Sequence, residues 1–153
     1  MLTFPFTLLQ RSLDCEILGD LDEAIAILRE GIDTLNPAEH SQELPVLTHH
    51  LAILCDKAGR TTLGIEYVKK CLTTSPDDLG LLYTLTRRLI MVGQTAEARV
   101  AVEKFRTACE LSTDKLRSGW AELQGILERD LAGLTGEPEA YRVLVKSSQP
   151  KSI

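Results

Sequence analysis

Three times along the chain a glycine separates two apolar runs of helical spacing, and this pattern limits the fold more than any other feature of the sequence. Before Gly59, the residues Leu47, Leu51, Leu54 and Ala58 step by 4, 3 and 4. Before Gly93, Leu82, Leu85, Leu89 and Val92 step by 3, 4 and 3. Such steps place the side chains along one side of a helix, giving one buried stripe each. A second amphipathic run follows each glycine, within 19–28, 59–68 and 93–102. Glycine at the end of a stripe can take the left-handed conformation that stops a helix and reverses the chain. The pattern therefore predicts an all-α chain built from helix–turn–helix units.

The spacing of the units is nearly regular. Gly59 and Gly93 are 34 residues apart, whereas Gly19 and Gly59 are 40 apart, which implies an insertion of six. Small residues recur where the second helix of each unit would cross the first: Ala24 and Gly31, Gly64 and Cys71, and Ala98. Asn36-Pro37 and Ser75-Pro76-Asp77-Asp78 close the first two units, because proline cannot continue a helix. Glu110 stands where a third such proline would fall, so the last helix is expected to run to about Leu111.

This arrangement resembles the tetratricopeptide repeat (TPR) family, whose helix pairs stack into a right-handed α-solenoid with a period of 34 residues. The second unit carries the resemblance through Leu51-Ala52, Cys55, Gly64, Val68, Cys71 and Pro76. The third carries it through Leu82, Leu85, Leu89, Ala98 and Val102, with Phe105 where the family has a small residue. The first carries it through Leu8, Ser12, Cys15, Ala24, Leu28 and Gly31, with Arg11 in place of the usual leucine. The resemblance implies a TPR domain over 1–134, with repeats at about 5–37, 45–76 and 79–111 and a capping helix at 113–134, seven helices in all. Ser112, Thr113 or Asp114 can cap the start of that last helix. Leu116, Trp120, Leu123, Leu127, Leu131 and Leu134 form its stripe, which would cover the apolar face that a stack of helix pairs leaves open. The remaining residues, 135–153, read as a partly disordered tail.

Composition narrows the function classes. A net charge of -5, with no Lys/Arg cluster, argues against nucleic acid as a partner. No stretch is long and apolar enough to span a bilayer, and the N-terminal residues lack a positively charged leader, so the expected location is cytoplasmic, away from membranes. Cys15, Cys55, Cys71 and Cys109 are spaced 40, 16 and 38 apart, which matches no zinc motif. They are expected to be free thiols, small apolar filler on helix faces. His49 and His50 are adjacent and point about a quarter-turn apart on a helix, a poor pair for one metal ion. The acids Asp20, Asp22, Glu23, Asp77 and Asp78 fall at helix starts, where they complement the dipole. Neither a phosphate-binding glycine loop nor a GxSxG motif occurs. The expectation is a non-enzymatic chain with no cofactor and no metal.

In the TPR family the first helix of each repeat lines a concave wall, and the resemblance places that wall here on Leu9, Leu13, His49, His50, Ile53, Tyr83, Arg87 and Met91. Thr84 falls on the same wall, and Tyr83 and Met91 are expected to be exposed there. A family subclass clamps the carboxylate of chaperone tails with Lys, Asn and Arg. The matching positions are Leu9, Leu13, His50, Gly80 and Thr84, a set that cannot grip a carboxylate. The resemblance thus implies a scaffold that binds a partner peptide or protein segment in its groove. The rival expectations are a self-associating, homodimeric TPR module, or an accessory or regulatory subunit of an enzyme or secretion system.

Overall fold

A computed structural model describes residues 4–112 and 117–134. They form seven α-helices, with no strand among the described residues: α1 (Phe4–Ile17), α2 (Leu21–Thr34), α3 (Glu43–Lys57), α4 (Thr61–Leu72), α5 (Leu79–Met91), α6 (Thr95–Leu111) and α7 (Arg117–Leu134). The expected cap residues Thr113 and Asp114, the stripe residue Leu116 and the tail 135–153 lie outside the described residues. The chain divides into two compact units, Met1–Leu81 and Leu82–Ile153.

The glycines turn the chain as their stripes require. Gly19, Gly59 and Gly93 have φ of 83°, 72° and 77°. Around each, two backbone bonds recur in the same register. The residue after the glycine donates to the carbonyl five back: Asp20 to Cys15 at 2.9 Å, Arg60 to Cys55 at 2.7 Å and Gln94 to Leu89 at 2.9 Å. The glycine itself donates to the carbonyl three back, at Glu16, Asp56 and Ile90. This is the Schellman motif, which satisfies carbonyls that a helix end would otherwise leave bare. Its left-handed residue costs an L-amino acid about 1–2 kcal/mol but glycine almost nothing.

In the first unit, α1 and α2 form one hairpin and α3 and α4 another, and α3 packs on both α1 and α2. The core is made by Leu28, Leu47, Leu51, Leu54 and Val68, all fully buried. The small residues sit at the crossings. A Cβ on Gly64 would lie 3.2 Å from the Ala52 Cα, and one on Gly31 would clash with a Leu8 methyl. Buried Ser12 ties the first hairpin together by donating to the Ala24 carbonyl at 3.1 Å. Asp20 and Asp78 act as caps rather than as first-turn residues. Asp20 accepts from the Glu23 N–H at 3.0 Å, and Asp78 accepts from the Leu81 N–H at 2.9 Å. The six extra residues are shared out: α2 and α3 are each two residues longer than α4 and α5, and the loop 35–42 is two longer than 73–78.

In the second unit, Phe105 is the largest fully buried side chain, with Ala98, Val102 and Leu127 also in the core. Its ring lies 6.2 Å from Tyr83 of α5 and meets Trp120 of α7 edge-on at 6.0 Å. Arg106 of α6 is ion-paired with Glu128 of α7. Helix α6 ends at Leu111, as the missing proline predicts. Val92, the last residue of the α5 stripe, is 40% exposed, because the chain has already entered the turn there.

Candidate binding surface

The wall residues of the first unit come from two helices in contact. Helix α1 supplies Leu9 and Leu13, and α3 supplies His49, His50 and Ile53. Leu9, Leu13 and Ile53 are half-buried, His50 is half-buried and His49 is exposed. The two imidazoles differ because adjacent residues on a helix point about 100° apart. Glu16 of α1 approaches both basic groups of α3: its carboxylate lies 3.8 Å from His50 Nε2 and is ion-paired with Lys57. Burial is the main cause that pushes the His50 imidazole below its usual range; Glu16 opposes the shift and Lys57 adds to it. Near neutral pH His50 is therefore uncharged, and Glu16 and Lys57 cancel. What this surface offers a ligand is aliphatic contact with a neutral imidazole, not a charge.

The wall residues of the second unit lie on α5. Tyr83, Arg87 and Met91 are spaced by four, so they form one line along the helix. Arg87 Nη1 donates to the Tyr83 hydroxyl at 3.4 Å, and its guanidinium carbon lies 5.9 Å from the ring centroid, a cation–π distance. Met91 is 58% exposed. Tyr83, expected to be exposed, is half-buried, because its ring packs on Phe105. Thr84 departs further: it is buried, not on the wall. Its carbonyl accepts from Nη1 of Arg88 at 3.0 Å, and Arg88 is itself buried. Helix α5 is buried around most of its circumference, through Leu81, Thr84, Leu85 and Arg88 on one flank and Leu82, Thr86 and Leu89 on the other. The Tyr83–Arg87–Met91 line is its accessible edge.

Sequence reasoning missed a polar cluster between α2 and α4. The Tyr67 hydroxyl donates to Asp33 Oδ2 at 3.0 Å and accepts from Arg29 Nε at 3.3 Å, and Lys70 Nζ meets Asp33 Oδ1 at 3.1 Å. The Arg29 and Lys70 charges each lie 5.7 Å from the Tyr67 ring centroid. Each helix carries part of the signal, Arg29 and Asp33 at i,i+4 and Tyr67 and Lys70 at i,i+3. Nothing in the sequence says that the two pairs face each other.

All four thiols are free, with Cys15 half-buried and Cys55, Cys71 and Cys109 buried. Among the described residues, no group of three His, Cys, Asp or Glu side chains is placed to hold a metal ion, and no helix is long and apolar enough to cross a membrane. No family model matches the chain, and no curated protein or solved structure is significantly similar to it.

Proposed function

We propose that this chain is a TPR-type scaffold that binds an extended or helical segment of a partner polypeptide and performs no catalysis. The observation that carries the reading is the recurrence of one structural unit. Three glycine turns share the same bonds and the same sign of φ, and a buried small residue follows each by five positions, at Ala24, Gly64 and Ala98. Such units, whose first helices keep an accessible edge, suit the recognition of an apolar segment more than the holding of a small polar substrate. In the first unit the contact surface is Leu9, Leu13, His50 and Ile53, with His49 beside them. In the second it is the Tyr83–Arg87–Met91 edge, where Met91 repacks around varied side chains and Arg87 pairs with a carboxylate or carbonyl of the ligand.

Display selection of peptides against the whole chain tests this, followed by amide chemical-shift mapping of the selected binders. Ile53→Asp and the pair Tyr83→Phe with Arg87→Ala probe the two surfaces separately; phenylalanine keeps the ring packed on Phe105. Selected peptides should shift α1, α3 or α5 amides, and at least one variant should weaken binding about tenfold or more, as for a contact worth over 1 kcal/mol. Shifts confined to α2, α4 and α6 would overturn the reading. Sedimentation showing a dimer that these same variants dissociate would instead assign the surfaces to a second copy of the chain.

A further inference from the structure

We propose that the first unit holds a second, separate site: a cavity between the C-terminal ends of α2 and α4 and the start of α3 that binds a free α-amino acid with a large apolar side chain, such as leucine or phenylalanine. The cavity has a volume of about 240 Å³, and Asp33 and Lys70 stand at its mouth. None of the wall residues of the first unit lines it, so it is distinct from the polypeptide surface described above.

Size and polarity of the interior select the side chain. Ile32, Leu35, Leu44 and Cys71 form the inner wall, and each is buried yet keeps between 6% and 8% of its surface open. Burial pushes the Cys71 thiol up, so the interior carries no charge. An apolar cavity of about 150 Å³ holds a benzene ring. This one therefore takes a ring or a branched chain together with the carbon that bears it, and no fused ring system.

The mouth selects the head group. Two opposite charges line it, Asp33 and Lys70, whose side chains are 47% and 64% exposed. A ligand with a single charge would meet one of them with the wrong sign. A zwitterion answers both, its ammonium facing Asp33 and its carboxylate facing Lys70. Asp33 Oδ1 and Lys70 Nζ lie 3.1 Å apart, close to the spacing of an ammonium nitrogen and a carboxylate oxygen carried by one α-carbon. The four charges then alternate in sign around a ring.

The mouth is also prepared for this exchange. The Tyr67 hydroxyl donates to Asp33 Oδ2 at 3.0 Å and accepts from Arg29 Nε at 3.3 Å, which holds the carboxylate in place. An exposed ion pair contributes little to stability, so Lys70, whose ammonium has donors to spare, can turn to a ligand at small cost. The rim hydroxyls of Thr73 and Thr74 donate to the Lys70 and Cys71 carbonyls, at 2.6 and 3.0 Å. The two charges are thus the groups with which the rim recognises a polar head.

The test titrates the full chain with L-leucine and reads backbone amide shifts. Four probes each remove one feature: glycine the side chain, 3-methylbutylamine the carboxylate, 4-methylpentanoate the ammonium, and N-acetyl-leucine amide both charges. Saturable leucine shifts confined to residues 32–48 and 67–74 are expected, with every other probe about fivefold weaker or more, as for the loss of one charge-assisted contact or of the apolar fill. Lys70→Gln should bring leucine down to the affinity of 3-methylbutylamine, and Asp33→Asn should remove its advantage over 4-methylpentanoate. Binding of N-acetyl-leucine amide as tight as that of leucine overturns the proposal and assigns the cavity to a side chain of another polypeptide. Shifts with glycine equal to those with leucine, or no saturable shift with leucine up to its solubility, overturn it as well.

Discussion

Replacing Gly64 by alanine should destabilise the first unit by about 1 kcal/mol, although alanine is the better helix former. A Cβ at this position would lie 3.2 Å from the Ala52 Cα and 3.3 Å from the Cys55 Cβ. One contact atom is backbone and the other is the root of a side chain, so neither can swing away. Helices α3 and α4 must separate by a few tenths of an ångström instead. Overpacking of this kind costs about 1–3 kcal/mol. Alanine for glycine inside a helix returns about 0.8–1.0 kcal/mol, which leaves a net loss of about 1. Gly125 of α7 supplies the reference, since a Cβ there meets nothing within 4 Å. Gly125→Ala should therefore stabilise by the full propensity term, about 1 kcal/mol. Urea unfolding followed by far-UV circular dichroism gives both midpoints, and native-state hydrogen exchange shows whether α3 and α4 amides carry the Gly64 effect. A Gly64→Ala variant as stabilised as Gly125→Ala would refute the close approach of these two helices.

Phe105→Ala should cost about 3–5 kcal/mol, and more than Trp120→Ala, because Phe105 is fully buried whereas Trp120 is half-exposed. Equal losses in denaturant titrations would contradict that ranking, and Trp120 emission should shift when its Phe105 neighbour is removed. His50 gives a pH dependence with a definite sign. Its folded pKa lies below the unfolded value of about 6.5, so the unfolded chain binds the proton more readily. Its contribution is complete above about pH 6.5 and is lost as pH falls through the folded pKa. Wild type should therefore lose more stability than His50→Gln on acidification from about pH 7 to about pH 5, and parallel melting curves would count against the burial of this imidazole. Among the thiols, half-buried Cys15 should alkylate first under native conditions, while Cys71, buried and with its pKa raised, should react only as the protein opens. Mass spectrometry of time points reads the order, and early labelling of Cys71 would contradict the structure.

The repeating local pattern was legible in the sequence because it depends on short-range geometry. Glycine after an apolar stripe specifies a left-handed turn, and the spacing of leucines specifies which side of each helix is buried. Hence the three turns at Gly19, Gly59 and Gly93, the helix ends near the prolines and the extension of α6 to Leu111 follow from the sequence alone. The small residues at the crossings were legible for the same reason, since only a small residue fits where two helices of one hairpin meet. Burial that depends on more than one neighbour was not legible. Thr84 is expected on the accessible wall, yet it is buried, as are its polar neighbours Thr86 and Arg88. The half-burial of Tyr83 depends on where Phe105 lies, and the Arg29–Asp33–Tyr67–Lys70 cluster depends on which faces of α2 and α4 meet. The complete burial of Thr48 likewise depends on neighbours that only the tertiary fold brings to it. A stripe records the one face that every helix of this kind must bury. Contacts between residues far apart in sequence are fixed by how the helices pack, and that became visible only in the tertiary structure.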